Sequence, residues 1–295
     1  MSLAELAHSQ LRVVRHDDGV DRWEMVHGQP HPQLRPYVTR YCGYDEQTTS
    51  FTRRIEAAGV EVPLILNLGP PLGVRLSSDS HSTDHDEGFI AGMHEGYAIV
   101  DSHGSQRGLE VGLTPVGAQR LLGLSMREVT SRVVPLGDAL GVPTSKLRER
   151  LLDAPDWPIR FMIIERFLID RLARSPAPPA ALEWALARMH ETAGNLEIQA
   201  LTDELGCSRR YLITKFNDHV GVPPKVFARI LRFQRACSLA ESGSFGWSAI
   251  AQQSGYYDHA HLIRDFQQFA AYPSQLLGQL DGRCGSSRRL KCAPW

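Results

Sequence analysis

One short pattern occurs twice in this chain, fifty residues apart, and it constrains the fold more than any other feature. Residues 211–216 (YLITKF) and 261–266 (HLIRDF) place the same Leu-Ile pair, and a Phe after two further residues, at equivalent positions. Each copy follows a segment with helical periodicity that ends at a glycine, residues 197–206 and 247–255. A repeat of this kind indicates a duplicated supersecondary unit.

Each copy predicts two short helices joined by a tight turn. Gly206 and Gly255 end the first helices, because glycine readily adopts the left-handed conformation of a C-cap, and Ser208 and Asp258 cap the second helices. Apolar residues at helical spacing predict the buried stripe of each second helix: Leu212, Phe216 and Val220, and then Leu262, Phe266 and either Phe269 or Ala270. This is helix-turn-helix geometry, in which the second helix can lie in the major groove of DNA.

The residues around both copies resemble those of the AraC-type (AraC/XylS) transcription regulators. The resemblance runs from about Leu182 to Leu280 and rests on segments 201–241 and 250–277. The second copy has six residues in the family register: Ala251, Gly255, Tyr256, Asp258, Phe266 and Pro273. The resemblance implies a sequence-specific DNA-binding regulator with two helix-turn-helix units joined by a long helix, which we expect over residues 223–241, and with double-stranded DNA as its partner.

The N-terminal part also resembles a known group, the N-terminal half of many actinobacterial AraC-type regulators. The matching segments are 31–44, 63–72, 89–94 and 109–123. This resemblance implies a regulatory or dimerising role without naming a ligand. We therefore expect the N-terminal part to contribute a pocket for a small-molecule effector, a homodimer surface, or both.

The pattern of apolar residues changes along the chain. Short apolar runs separated by turn residues predict strands at 37–44, 51–57, 62–68, 88–93, 97–101 and 108–113. Residues 77–87 contain no apolar residue and predict an exposed loop. Helices are predicted at 144–152 and 156–174, and three prolines within residues 176–179 predict a short stiff linker after them.

These patterns predict an α+β chain, with an N-terminal sheet-rich regulatory domain followed by an all-α DNA-binding domain of two helix-turn-helix units joined by a long helix. The predicted boundaries are 1–174 for the regulatory or dimerisation domain (strand-rich core 1–135, helices 136–174), 175–181 for the linker, 182–280 for the DNA-binding domain and 281–295 for a C-terminal tail. The charge divides the same way, since residues 182–295 carry a net +3 and residues 1–181 a net −4. A mildly basic C-terminal part is compatible with nucleic-acid binding.

The residues expected to touch DNA are those left outward on each second helix once its apolar stripe is buried. Base-reading residues are predicted to be Arg210, Ile213 and Thr214 in the first unit, and His259, Ile263 and Arg264 in the second. Phosphate contacts are predicted for Arg209, Lys215 and Arg229. Arginine can donate two hydrogen bonds to guanine, and Ile213 and the Thr214 methyl group can contact a thymine methyl.

Other interpretations of these residues remain open. Arg264 and His259 are also compatible with a solvated helix surface, and this alternative is the weaker of the two for Arg264. The connecting helix carries Arg229, Arg232 and Arg235, of which at least one is expected to form a structural salt bridge.

The five cysteines argue against both a disulfide framework and a zinc site, because they are odd in number, scattered and never spaced CxxC. Reduced thiols in a cytoplasmic protein fit this usage, and the sequence shows neither a secretory leader nor a membrane span. We interpret the cluster of His81, Asp84 and His85 as part of a solvated loop. We therefore predict no metal and no cofactor.

Enzymatic motifs are missing from the sequence. It has neither a Gly-x-Ser-x-Gly elbow nor a glycine-rich phosphate loop, so we do not expect an enzyme. The alternative is a thiol- or metal-based sensor or transfer enzyme that carries a DNA-binding module, with Cys42 as its reactive thiol.

Overall fold

The computed structural model of the chain describes residues 11–271. The strands within this range are β1 (Arg12–Asp17), β2 (Arg22–Gly28), β3 (Val38–Glu56), β4 (Val62–Asn67), β5 (Leu72–Leu76), β6 (Thr83–His85), β7 (Gly88–Ala91), β8 (Ala98–Leu113) and β9 (Val133–Pro135). The helices are α1 (Pro115–Leu122), α2 (Leu136–Leu140), α3 (Ser145–Asp153), α4 (Trp157–Leu172), α5 (Ala180–Glu191), α6 (Ile198–Leu205), α7 (Arg209–His219), α8 (Pro224–Glu241), α9 (Trp247–Gln253) and α10 (His259–Ala270), with a 3-10 helix at Met126–Glu128. The predicted fold class is confirmed: a sheet-rich region precedes an all-α region with two helix-turn-helix units.

Every strand pair in the described sheet is antiparallel, and the order along the sheet is β1-β2-β3-β8-β4-β7-β9. The long strand β8 organises it. One edge of β8 pairs with β3, and its other edge pairs with β4 near the end of the strand and with β5 near its start. Hairpins and meanders of this kind need no crossover helix, so all the large helices come later in the chain.

The predicted strands 37–44 and 51–57 are one strand, β3, and 97–101 and 108–113 are likewise one strand, β8. The polar stretch between the apolar runs stays in the sheet because its backbone pairs across β3 and β8, with a register shift between Gln47 and Phe51. The sequence patterns did not predict the strands β1, β2, β5 and β9 or the helices α1 and α5.

The prediction of an exposed loop at residues 77–87 is wrong at its C-terminal end. Thr83–His85 form β6 against β5, and the His85 ring is buried beside Phe89, with ring centroids 5.0 Å apart. An imidazole can be buried in this way because it presents an apolar ring face. His85 therefore packs within the sheet-rich region and is not part of a solvated cluster of charged residues.

The proline-rich segment lies between α4 and α5, and α5 begins at Ala180, inside the predicted linker 175–181. Arg120 on α1 donates hydrogen bonds to the carbonyl oxygens of Leu172 and Ser175, at 2.8 and 3.0 Å, and so ties the start of the linker to the N-terminal region. The linker does not separate two independent cores. One cluster of buried apolar side chains continues from the sheet into the C-terminal helices, from Val26 to Ala270.

Several predictions lie outside the described residues. Among these are Pro273, the boundary at residue 280, the tail 281–295 and the two C-terminal cysteines, Cys284 and Cys292. The domain boundaries therefore remain predictions.

Candidate nucleic-acid interface

The two helix-turn-helix units are α6 with α7 and α9 with α10, and their local geometry follows the predicted caps. Ser208 accepts a hydrogen bond from the backbone N–H of Tyr211 at 3.2 Å, and Asp258 accepts one from the N–H of His261 at 2.7 Å. Gly206 has φ 60° and Gly255 has φ 75°. Each glycine thus occupies the left-handed region where its missing Cβ avoids strain, and the predicted capping at both turns is confirmed.

The second helix of each unit, α7 or α10, is called here the recognition helix. The predicted apolar stripes are buried: Leu212, Phe216, Val220, Leu262, Phe266, Phe269 and Ala270. They pack on the long helix α8, where Phe227 lies 6.1 Å from Phe216 and Phe233 lies 5.0 Å from Phe266, measured between ring centroids. The opposite face of each recognition helix is thereby left outward.

In α7 the predicted contacts lie on or beside this outward face. Arg209, Arg210 and Thr214 are exposed, while Ile213 and Lys215 are half-buried. The Lys215 ammonium group lies 5.6 Å from the centre of the Tyr211 ring, so part of its stem is covered. The geometry keeps two arginines and a threonine accessible to a groove.

In α10 the arrangement is similar but less basic. His259 and Arg264 are exposed and Ile263 is half-buried. The Arg264 Nε donates to the carbonyl oxygen of Ala260, one turn earlier, at 3.3 Å. This weak contact leaves both terminal nitrogens of the guanidinium group outside that hydrogen bond.

Arg229 on α8 occupies a different environment from the other predicted DNA contacts. Its side chain is 21% exposed and donates to Asp265 at 2.7 Å and to Gln268 at 2.9 Å, and it pairs with Glu95 at 3.3 Å. Its guanidinium carbon also lies 5.0 Å from the centre of the Phe269 ring. The expected salt bridge on α8 is therefore Arg229, and a phosphate contact by this residue, which remains a prediction, would require it to leave these partners.

Sequence reasoning missed Asp265, which is 2% exposed and lies within the apolar stripe of α10. A carboxylate at a core position signals a buried partner, since unpaired charges are rarely buried, and this signal was available in the sequence. Sequence reasoning also missed Tyr257, which directly precedes the N-cap of α10 and is 95% exposed.

Arg232 is a second arginine of α8 with a hydrogen-bond partner in the protein. It donates to the carbonyl oxygen of Gly194 at 2.7 Å. Burial lowers the pKa of this guanidinium group, with smaller opposing contributions from Tyr256 and Asp265. At the end of α7, burial and the nearby Lys215 lower the pKa of His219.

Cys42 is the thiol that the alternative function as a sensor or transfer enzyme would require. Its side chain lies on β3 and is only 6% exposed, so the thiol is not accessible. A reactive cysteine needs both access and a stabilised thiolate.

In the part of the chain that the structure describes, no group of three or more His, Cys, Asp or Glu side chains is placed to hold a metal ion. Within the same residues, no helix is long and apolar enough to cross a membrane.

Two family models match the sequence. Residues 201–278 match a helix-turn-helix domain family, which is of the AraC type, and residues 27–135 match a domain of unknown function, DUF6597. The first match begins at Leu201 within α6 and covers the rest of the first unit, the connecting helix α8 and the second unit. No curated protein matches the chain.

Three solved structures illustrate the comparison, and each is a distant likeness. ToxT from Vibrio cholerae is 14% identical, with a TM-score of 0.45 over 79% of this chain and 100% of ToxT. The AraC-like transcriptional activator CuxR is 15% identical, with a TM-score of 0.32 over 83% of this chain and 90% of CuxR. Vicilin from hazelnut (Corylus avellana) is 14% identical, with a TM-score of 0.26 over 48% of this chain and 42% of vicilin.

Proposed function

We propose that this chain, which carries an AraC-type helix-turn-helix domain in residues 201–278, regulates transcription by reading two successive segments of the major groove with α7 and α10. Recognition helices present their N-terminal residues to base edges, and a duplicated unit reads two grooves about one helical turn apart. The reading residues are Arg210, Ile213 and Thr214 on α7, and His259, Ile263 and Arg264 on α10.

The observation that supports this proposal most is the equivalence of the two units. Both recognition helices bury the same stripe against α8 and are capped at the same position, Ser208 in one and Asp258 in the other. Each exposes one or more arginines on its outward face. A structural duplication alone would not require a guanine-reading side chain on both helices.

The N-terminal region is proposed to sense a small molecule, to dimerise the chain, or both. The sheet of this region holds a polar group in which Arg54 pairs with Glu46 and Gln106 donates to Glu46 at 2.8 Å. Glu46 and Gln106 are buried opposite each other on β3 and β8. These side chains pair with one another, so the proposed sensing or dimerising role rests on the resemblance of the N-terminal part to the regulatory half of AraC-type regulators.

Selection of bound sequences from random double-stranded DNA by the full chain tests the proposal. We expect enrichment of two short segments separated by about one helical turn. A single enriched segment would contradict the two-groove reading, and binding without any enrichment would contradict sequence-specific regulation.

A further inference from the structure

The N-terminal region holds both recognition helices, and it does so at equivalent positions of the repeat. Arg127, the middle residue of the 3-10 helix, pairs with Asp218 of α7 at 2.7 Å. The carbonyl oxygen of Glu95, in the loop before β8, accepts a hydrogen bond from the Gln268 side chain of α10 at 2.9 Å. Asp218 and Gln268 stand fifty residues apart, which is the spacing of the repeat itself.

A second contact reinforces each of these points. The Thr130 hydroxyl donates to the carbonyl oxygen of Gly221, just beyond α7, at 2.8 Å. The backbone N–H of Ala58 donates to the carbonyl oxygen of Phe269, in the last turn of α10, at 2.9 Å. The last carbonyl groups of a helix have no partner within it, so the N-terminal region supplies hydrogen-bond donors at the ends of both recognition helices.

The contact between Glu95 and α10 also reaches the buried face of this helix, through Arg229. The Glu95 carboxylate pairs with Arg229, which in turn pairs with the buried Asp265. A displacement of the loop that carries Glu95 would therefore act on α10 through its surface and through its buried face.

These contacts lie close to the residues proposed to read DNA. Asp218 follows Thr214 by four residues, and Gln268 follows Arg264 by four. Residues four apart lie one turn along the same face of a helix. The N-terminal region thus touches each recognition helix one turn beyond a proposed base-reading residue.

We propose that the N-terminal region is a two-point clamp that fixes the distance between α7 and α10, and that Arg127 and Glu95 are positioning residues for DNA reading. The helix α8 also joins the two units, through Phe227 and Phe233 on their buried faces. The clamp adds a second attachment to each recognition helix, two residues beyond the phenylalanine that packs on α8, and this attachment restricts movement of the helix relative to α8. This inference rests on the proposed DNA-binding function.

The test compares two DNA duplexes, the site selected by the full chain and the same site with one base pair inserted between its two segments. The full-length double variant Arg127→Ala with Gln268→Ala removes one side-chain contact at each clamp point, the ion pair of Arg127 with Asp218 and the hydrogen bond of Gln268 to the Glu95 carbonyl oxygen. Arg166→Ala is the matched control, because it breaks an exposed ion pair with Asp170 inside α4. The readout is the ratio of the two dissociation constants, which a general loss of folded protein does not change.

For the wild type and the control, we expect the inserted base pair to weaken binding by about tenfold or more, since a single mismatch already costs about that much. For the double variant, we expect the loss on insertion to be at least about threefold smaller, with affinity for the original site little changed because exposed pairs contribute little alone.

An unchanged ratio in the double variant would overturn the clamp, as would a wild type that tolerates the insertion. A wild type that selects no sequence at all would instead overturn the proposed function, so the two failures are distinguishable.

Discussion

At the scale of single residues, the buried pair of Arg229 and Asp265 predicts a stability effect. Removing one partner of a buried ion pair leaves the other charge uncompensated, so Arg229→Ala should lower the free energy of unfolding by about 3 kcal/mol. Denaturant unfolding at neutral pH measures it. Arg235→Ala, an exposed change on the same helix, should cost less than about 0.5 kcal/mol, and equal effects of the two changes would contradict a structural role for Arg229.

Lys215 is a predicted phosphate contact, so its substitution is expected to change DNA binding. Lys215→Ala should weaken binding to all DNA sequences similarly and reduce the log-log salt slope by about one unit, because one fewer phosphate is neutralised. Binding titrations over a range of salt concentrations measure the slope, with the exposed Lys146→Ala as a control that should leave it unchanged. An unchanged slope with weakened cognate binding would move Lys215 to the base-reading residues.

Helical spacing predicted which recognition-helix residues face outward, because burial of Leu212 and Phe216 against α8 leaves the opposite face exposed. It did not predict the surroundings of Arg229. Its partner Glu95 lies 134 residues earlier in the chain, and no local pattern encodes a pairing over that distance.

At the scale of secondary-structure elements, the caps of α7 and α10 predict a second stability effect. Ser208→Ala and Asp258→Ala should each lower the free energy of unfolding by about 1 kcal/mol, since each leaves a backbone N–H without its acceptor. Ser208→Asp and Asp258→Ser are matched controls, because both replacements can still accept that hydrogen bond. Equal losses in the alanine and control variants would exclude capping as the cause.

Helices were predicted more accurately than strands. A helix such as α4 is encoded by periodicity within a dozen or more residues, whereas β3 continues through a polar stretch only because β8 pairs with it. The short strand at Thr83–His85 likewise depends on β5. Pairing with distant strands fixes these elements, and a single sequence does not display it.

At the scale of the whole molecule, buried imidazoles predict a pH dependence of stability. Burial lowers the pKa of His85, His94, His190 and His219. Below about pH 6.5 the unfolded chain therefore binds more protons than the folded chain, and the free energy of unfolding falls as the pH falls.

The melting temperature should accordingly be lower at pH 6.0 than at pH 7.5. The variant His94→Gln should show a smaller decrease, because it removes one of the buried titrating rings. A melting temperature that rises as the pH falls through this window would contradict the account.

The sequence predicted two regions joined by a proline-rich linker, and in the structure the proline-rich segment lies between α4 and α5. The shared core and the contacts of Arg127 and Thr130 with the end of α7 were not predictable, because they depend on how the two regions pack together. An amphipathic pattern shows that a face is buried without showing which surface covers it.

The most direct test of the central claim is to repeat the DNA selection with full-length Arg210→Ala and Arg264→Ala beside the wild type. Each substitution should cost about 1–3 kcal/mol on the cognate site and relax base preference in a different segment, because each arginine reads its own groove. If both substitutions relax the same base pairs, or if neither relaxes any, the chain does not read DNA with two recognition helices.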